Sequence, residues 1–199
     1  MAIEIRETFQ VQAPIERVWK FVLDPHNVAA CMPGASLEQV IDEKTFIGNI
    51  KVKVGAVMAA YKGRVELTEI DEKSYTVKMK AEGTESGGGT ARGTMLSRLV
   101  TLPDGKTEIV AEASVDLTGR IMQVGRGMIQ GVSKQLFQVF VKNARAQLEA
   151  EAAAAATGAP PPPPPVKQEE AINALSLVLR TIWAAIVSFF RRLFGRRER

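Results

Sequence analysis

The side chains that most often carry catalysis or hold metals are scarce, because the chain has one histidine, His26, and one cysteine, Cys31. A zinc site usually takes four cysteine or histidine ligands, and an activated nucleophile needs a neighbouring base. His26 follows Asp24-Pro25 in a predicted turn, where solvent would surround it. Cys31 precedes Met32-Pro33 and is expected to pack as a small apolar side chain. The sequence therefore predicts no catalytic residue, no metal site, no disulfide and no enzyme.

The segment Gly125-Arg126-Gly127 resembles a nucleotide-binding loop only superficially. The next glycine is Gly131, so the spacing is GxGxxxG rather than GxGxxG, and the strands before it are predicted to be antiparallel. We expect these small residues to let the chain bend into the helix that follows.

Methionine and aromatic side chains indicate a different kind of site. Six of the seven methionines fall in apolar contexts of residues 1–152, and methionine suits a wall that adapts to an apolar ligand. The same residues could instead fill an ordinary core, and the sequence pattern leaves both interpretations open. Residues 55–60 and Tyr61 are expected at the mouth of such a cavity. The predicted lining residues are Trp19, Phe46, Met58, Tyr61, Met79, Met95, Leu117, Met122, Met128, Val132, Leu136 and Phe140.

The C-terminal residues carry a strong pattern of their own. Residues 171–194 predict a helix with a broad apolar face and a narrow polar stripe, followed by a basic end. The residues predicted to bind a membrane are Ile172, Leu175, Leu179, Arg180, Ile182, Trp183, Ile186, Phe189, Phe190, Arg191, Arg192 and Leu193. The alternatives are packing onto the domain, onto a partner protein or onto other copies of the tail.

Arg180 decides between a helix that spans the bilayer and one that lies on its surface. Twenty residues from Ala171 could just cross the hydrocarbon. Arg180 would then sit at the bilayer centre at a cost of about 2.5–3.5 kcal/mol, and the terminal arginines would leave the cytoplasm. An interfacial helix avoids both costs and is the favoured prediction.

Charge is divided unevenly along the chain. Residues 1–156 contain 19 Lys+Arg and 19 Asp+Glu, whereas residues 157–199 contain 7 and 3. The domain has no net basic character, which argues against nucleic acid as its partner. The excess charge of +4 lies in the tail and favours an anionic surface.

Hydrophobic periodicity predicts the elements that position these residues. A strand over residues 3–11 precedes a short helix from Pro14 to about Asp24, and residues 25–34 form a turn or a second short helix. Residues 37–118 alternate with period two, which predicts about six strands in an antiparallel meander. A helix then runs from Val124 to Glu151, with Gln147 among its solvent-facing residues.

Three segments follow from this pattern. Residues 1–152 form an α+β domain, residues 153–168 an Ala/Pro-rich linker with six consecutive prolines, and residues 169–199 the amphipathic helix. The first ten residues, MAIEIRETFQ, lack the features of a signal peptide. The predicted location is the cytoplasmic face of the cell membrane, as a peripheral protein.

Short motifs add a family resemblance. The order of elements and the run from Pro14 to Trp19 resemble the START/SRPBCC superfamily. Over residues 2–150 the chain further resembles the CoxG family, which is named after an accessory component of carbon monoxide dehydrogenase. Met32 stands where that family has isoleucine before Pro-Gly. The motifs are Asp24-Pro25, Met32-Pro33-Gly34, Val52-Lys53-Val54-Gly55 and Leu117-Thr118-Gly119-Arg120-Ile121 with Gly125.

The resemblance implies a helix-grip fold, in which a curved antiparallel sheet of about seven strands surrounds a long C-terminal helix and an apolar cavity. It also implies a hydrophobic ligand and a partnership with molybdenum hydroxylases that oxidise carbon monoxide or similar substrates. The favoured hypothesis is an accessory protein without a covalent cofactor that carries an isoprenoid quinone between the membrane and such a soluble dehydrogenase. The alternative is an adaptor that recruits the dehydrogenase to the membrane without binding a ligand. A hydrolase or cyclase is the least favoured hypothesis.

Overall fold

A computed structural model describes residues 2–157, which form a seven-stranded antiparallel sheet with three α-helices. The elements are β1 (Ala2–Val11), α1 (Ile15–Leu23), α2 (Pro25–Cys31), β2 (Ala35–Val40), β3 (Thr45–Val54), β4 (Val57–Asp71), β5 (Thr76–Glu85), β6 (Thr90–Thr101), β7 (Thr107–Leu117), a 3₁₀ helix (Arg120–Val124) and α3 (Arg126–Thr157). The strand order is β1-β7-β6-β5-β4-β3-β2. The predicted helix-grip architecture is confirmed. The predicted second half of the linker and the amphipathic helix lie outside the described residues.

Alternation along the strands gives the sheet an inner and an outer face. In β1, Ile3 and Val11 are buried while Glu4, Arg6 and Thr8 are exposed. The registers carry this parity across the sheet, because residues paired across neighbouring strands point to the same side. Apolar side chains therefore collect on the face that the helices cover.

The two short helices close one end of the sheet. Pro14 precedes α1, whose buried side is formed by Ile15, Val18, Trp19 and Phe21. A turn or a second short helix was predicted for residues 25–34, and the structure has the helix α2 there. Asp24 stabilises its start by accepting a hydrogen bond from the His26 backbone N–H at 2.8 Å. A side chain that accepts from the first free N–H groups stabilises a helix start.

The long helix begins later and ends later than predicted. Residues 120–124 form the 3₁₀ helix, so α3 starts at Arg126 rather than Val124. It ends at Thr157 rather than Glu151, because the alanines after Glu151 are strong helix formers. The predicted linker therefore begins with helical residues. None of the helices within residues 2–157 is long and apolar enough to cross a membrane.

Gln147 was predicted to face solvent, and that prediction is wrong. Its side chain is buried between α3 and α2, where Nε2 donates to Oδ1 of Asn27 at 3.0 Å. Its Oε1 accepts from the thiol of Cys31 at 3.4 Å. Asn143 adds a hydrogen bond to the carbonyl of Cys31 at 3.0 Å. A polar network thus joins the two helices.

The buried apolar residues fall into two clusters at opposite ends of the inner face. The first cluster packs under α1, α2 and the second half of α3, and includes Val18, Trp19, Cys31, Leu99 and Leu148. The second packs under the 3₁₀ helix and the first turns of α3, and includes Ile3, Tyr61, Ile121 and Ile129.

Candidate ligand-binding cleft

The inner face between the two clusters has a floor of small residues. Gly48 pairs with Gly63, and Gly63 pairs with Gly83, so a row of glycines crosses three strands. Gly93 pairs with Ala81 on the next strand. At Gly63 a side chain has no room, since a Cβ would lie 2.6 Å from the Glu82 carbonyl oxygen. The contact at Gly63 is with the neighbouring strand of the sheet. Because glycine has no side chain, the row leaves this part of the inner face without side chains.

The long helix does not fill this part of the inner face. It approaches the sheet mainly at β1 and β3, close to the two edges, rather than at the central strands. The inner-face residues of those central strands, including Met79, Ala81, Met95 and Ala113, are only half-buried although they lie beneath the helix. The helix therefore covers the middle of the inner face only partly, and this half-covered face is the candidate ligand-binding cleft.

The structure places most of the predicted lining residues in the two apolar clusters of the inner face. Trp19, Phe46, Met79 and Phe140 pack with the first cluster. Tyr61, Leu117, Met122 and Val132 pack with the second. Met95 is on the inner face, opposite Met79 and Ala113. Leu136 is half-buried on α3, and Met128 is 49% exposed near the start of that helix.

Met58 lies on the outer face of the sheet, so its prediction as a lining residue is wrong. Ala59 and Tyr61 of β4 are buried on the inner face, so strand alternation turns Met58 outward. Its side chain is 59% exposed. Met58 was predicted as a lining residue because it is a methionine. The face of the strand, rather than the residue type, decides which side chains can reach the cleft.

Two buried polar atoms at the cleft have no hydrogen-bond partner among residues 2–157: Nε1 of Trp19 and the hydroxyl of Tyr61. Trp19 is 7% exposed and Tyr61 9%. A buried donor left unsatisfied costs about 1–3 kcal/mol. The Trp19 ring is held edge-on against Tyr75, with centroids 5.6 Å apart. The Trp19 N–H can only donate, and a hydroxyl can donate as well as accept, so both atoms suit an acceptor oxygen.

Burial raises the pKa of Tyr61, and the negative charge of Glu85 adds to the effect. The direction follows because both influences disfavour the phenolate. Tyr61 therefore remains a neutral hydroxyl, able to donate a hydrogen bond, at pH values where an ordinary tyrosine begins to ionise.

An ion pair beside Tyr61 was missed in the sequence. Glu85 is the register partner of Tyr61 on β5, and its buried carboxylate accepts from Nη2 of Arg120 at 3.0 Å. The sequence signal for this ion pair was that Arg120 belongs to the family motif at residues 117–121. The 35 residues between the partners hid the pairing.

Cys31 and His26, for which no catalytic role was predicted, lie in and next to helix α2. Cys31 is fully buried against Gln147, and burial, with a smaller effect of Glu151, raises the pKa of its thiol to about 11. His26 is exposed at the start of α2. Within residues 2–157, no three Asp, Glu, His or Cys side chains are grouped so that they could hold a metal ion.

A second depression, of about 450 Å³, lies on the outer face of the sheet and is separate from the cleft. Charged and polar side chains surround it, among them Lys62, Arg64, Glu82 and Arg92. Its floor is the back of Gly63 and Gly83. The mixed charges distinguish it from the apolar cleft on the inner face.

Solved structures share this architecture. A conserved protein from Geobacillus kaustophilus has a TM-score of 0.67 and 23% identity, covering 74% of this chain and 95% of that one. The ZhuI aromatase/cyclase from Streptomyces sp. R1128 has a TM-score of 0.58 and 17% identity, covering 78% and 98%. A START superfamily protein from Mycobacterium smegmatis has a TM-score of 0.51 and 11% identity, covering 73% and 97%. The fold class is therefore START-like.

The family is narrower than the fold class. The model of the CoxG family, whose description names it as a component of carbon monoxide dehydrogenase, matches residues 8–149. The chain belongs to this family, and the resemblance in its motifs is confirmed. A comparison with curated proteins gives no match. Family and fold together define the chain as a CoxG-family protein with a START-like fold.

Proposed function

We propose that this protein binds a lipid-soluble quinone in the cleft and carries it between the membrane and a soluble dehydrogenase of the carbon monoxide dehydrogenase type. The observations that carry the proposal are the half-covered apolar inner face and two buried polar atoms that have no partner within residues 2–157, Trp19 Nε1 and Tyr61 OH. The family name supplies the class of the dehydrogenase.

The chemistry of the cleft selects the ligand class. Apolar walls favour an isoprenoid body, since burying apolar area contributes about 25 cal/mol per Å². A buried donor without a partner within residues 2–157 favours a head group with acceptor oxygens, such as the carbonyls of a quinone. Trp19 and Tyr61 belong to clusters at opposite ends of the inner face, so one head group would meet one of them. A cationic or donor-rich head group would leave both buried donors unsatisfied.

Enzymatic turnover has less support from the residues of the cleft. The inner face carries two carboxylates, Glu7 on β1 and Glu85 on β5, and the latter is held by Arg120. Strands β7 and β6 separate β1 from β5, which places the two strands roughly 14 Å apart. Carboxylates that act as a pair on one bond lie within about 10 Å of each other. We infer binding and transfer rather than catalysis.

The first experiment identifies the ligand. The full chain is purified from membranes of its native host, and bound lipids are extracted and identified by mass spectrometry. Ala113→Phe places a ring on the inner face beside Met95, whereas Thr94→Phe places the same ring on the exposed outer face. The expected result is a quinone with the native chain and with Thr94→Phe, and at least tenfold less with Ala113→Phe. Quinone that is absent throughout, or equal in both variants, would refute the proposal.

The adaptor function makes the opposite prediction for the same variants. If the domain only recruits the dehydrogenase, Ala113→Phe transfers electrons to membrane quinone as well as the native chain does. The measurement is quinone reduction by the purified dehydrogenase in the presence of vesicles. Loss of reduction with Ala113→Phe but not with Thr94→Phe favours the carrier.

The membrane contact of the tail has its own test. We propose that residues 169–199 lie in the interface, with Arg180 and the terminal arginines near lipid phosphates. Deleting residues 166–199 removes this segment. Its loss is expected not to disturb the domain core, because the last buried residues of α3 are Ala144, Gln147 and Leu148. Co-sedimentation with anionic vesicles should fall at least tenfold. Undiminished sedimentation would refute the role of the tail.

A further inference from the structure

We propose that the domain itself touches the membrane through an apolar tip formed by Gly55, Ala56, Met58 and Met128. Met58 and Met128 are two of the six most exposed large apolar residues of the described chain. Gly55 and Ala56 form the turn between β3 and β4 and are exposed as well. Among residues 2–157, the tip is thus an apolar projection that no other residue covers.

The two methionines flank the turn from opposite sides. Met58 points away from the inner face, while α3, which carries Met128, covers that face. Met128 lies over the turn, since its Sδ is 2.9 Å from the position a Cβ would take at Gly55. Unbranched thioether side chains adapt to a disordered apolar phase at little strain. The turn and the helix start therefore present one continuous apolar end.

The two chain segments that carry the tip contain basic residues and no acidic ones. Residues 45–65 contain no Asp or Glu, and neither do residues 117–148. Lys51, Lys53 and Arg126 lie nearest to the tip along the chain, whereas Lys62 and Arg120 are paired with Glu38 and Glu85. Lys53 is the direct register partner of Met58, and Arg126 precedes Met128 by two residues. The domain is neutral overall, so this segregation is local.

An apolar projection beside Lys51, Lys53 and Arg126 matches the surface of an anionic bilayer. The methionines would enter the boundary between head groups and acyl chains, and each basic residue near the surface adds attraction to anionic lipid. An acidic protein partner would satisfy the lysines and arginines but leaves the exposed methionines without a reason. The observations therefore favour a lipid surface.

The position of the tip determines which end of the domain a bound membrane would face. The second apolar cluster, with Tyr61 and Ile129, lies directly behind β3, β4 and the start of α3. A membrane held at the tip therefore faces the end of the inner face where the second cluster packs, opposite the end that α1 and α2 cover. The contact itself requires no ligand, so its test is independent of the proposed quinone.

Site-directed fluorescence on the full chain tests the proposal. Met58→Cys and Met128→Cys are labelled with a polarity-sensitive fluorophore, and native Cys31 stays unlabelled because it is fully buried. Val100→Cys is the matched control, since Val100 is 49% exposed, as is Met128, but lies on β6 roughly 33 Å from the end of the sheet where the tip is. The probe is a vesicle of phosphatidylcholine with or without phosphatidylglycerol, free of quinone.

The expected result is a blue shift with increased emission at positions 58 and 128 when anionic vesicles are added, and no shift at position 100. Met58→Asp with Met128→Asp should weaken vesicle binding about tenfold, while Val100→Asp changes it less than twofold. Equal responses at positions 58 and 100, whether present or absent, overturn the proposal. A response at position 58 to the purified dehydrogenase but not to vesicles would also overturn it and assign the tip to a protein partner.

Discussion

Arg120 donates from Nη2 to Oε1 of Glu85 at 3.0 Å, which joins the 3₁₀ helix to the last residue of β5. The carboxylate side chain is only 5% exposed, whereas that of Arg120 is 61% exposed. The pair therefore neutralises a buried charge with a residue that reaches in from solvent. It also fixes the wall of the cleft next to Tyr61.

Replacing Arg120 with alanine leaves the buried carboxylate of Glu85 without its cation. We expect a loss of about 1–2 kcal/mol in the free energy of unfolding, reduced from the cost of a fully buried pair because Arg120 is largely solvated. Urea denaturation measures it. Lys78→Ala is the control, because Lys78 pairs with Glu69 and both side chains are about half exposed. That variant should change stability by less than about 0.5 kcal/mol. Equal losses in the two variants would contradict this account of Glu85.

Replacing Tyr61 with phenylalanine separates stability from ligand binding. Without ligand the change removes a buried hydroxyl that has no partner among the described residues, so stability should stay equal or rise by up to about 1 kcal/mol. Binding of a short-chain quinone should weaken about fivefold to tenfold, as expected for one lost hydrogen bond. Calorimetry of binding and urea denaturation provide the two readouts.

Tyr75→Phe is the matched control for that experiment, because Tyr61 and Tyr75 are the two tyrosines of the chain. Tyr75 is half-buried and contacts Trp19 through its ring, which phenylalanine preserves. Neither readout should change with this variant. A destabilised Tyr61→Phe protein with unchanged quinone binding would show that the hydroxyl has a structural partner instead of a ligand.

The thiol of Cys31 makes stability fall at high pH. Burial raises its pKa from 9.0 to about 11, so the unfolded chain loses the proton first as pH rises. The contribution of the protonated thiol to the free energy of unfolding is fully present below pH 9. It is lost between about pH 9 and 11, because over that range the native state binds more protons than the unfolded state. At pH 10 the loss is about 1 kcal/mol. Cys31→Ala removes it, so the stability difference between native chain and variant should shrink by that amount between pH 8 and pH 10. A difference that is constant with pH would contradict the raised pKa.

The sequence predicted the sheet well because strand alternation is a local signal. The parity of β4 was also present in the sequence, since Ala59 and Tyr61 alternate with Met58. The wrong assignment of Met58 came from choosing lining residues by type. The ends of α3 were less accessible, because the 3₁₀ helix before Gly125 and the helical alanines after Glu151 depend on packing and propensity together.

Other features of the cleft depend on distant parts of the chain. The pairing of Glu85 with Arg120 requires the register of β5 and the position of the 3₁₀ helix. Whether the hydroxyl of Tyr61 has a hydrogen-bond partner among the described residues depends on every polar group around it. The local sequence around Tyr61 does not contain that information. The partial cover of the central strands by α3 depends on where the helix crosses the sheet, and side-chain volumes at Gly63, Gly83 and Gly93 set it only in part.

The family motif at Gly34 provides a last test of how local backbone geometry holds the sheet. Gly34 has φ +74°, and a Cβ there would lie 2.3 Å from the carbonyl oxygen of Lys51, whose N–H donates to the Gly34 carbonyl at 3.0 Å. Gly88, with φ +88°, has no atom within 4 Å of such a Cβ. Gly88→Ala should therefore cost only the left-handed conformation, about 1–2 kcal/mol. Gly34→Ala adds a backbone clash that must separate β3 from the residues after α2, so we expect at least about 3 kcal/mol, measured by urea denaturation. If the two variants lose equal stability, the contact of Gly34 with β3 contributes nothing beyond its backbone angle.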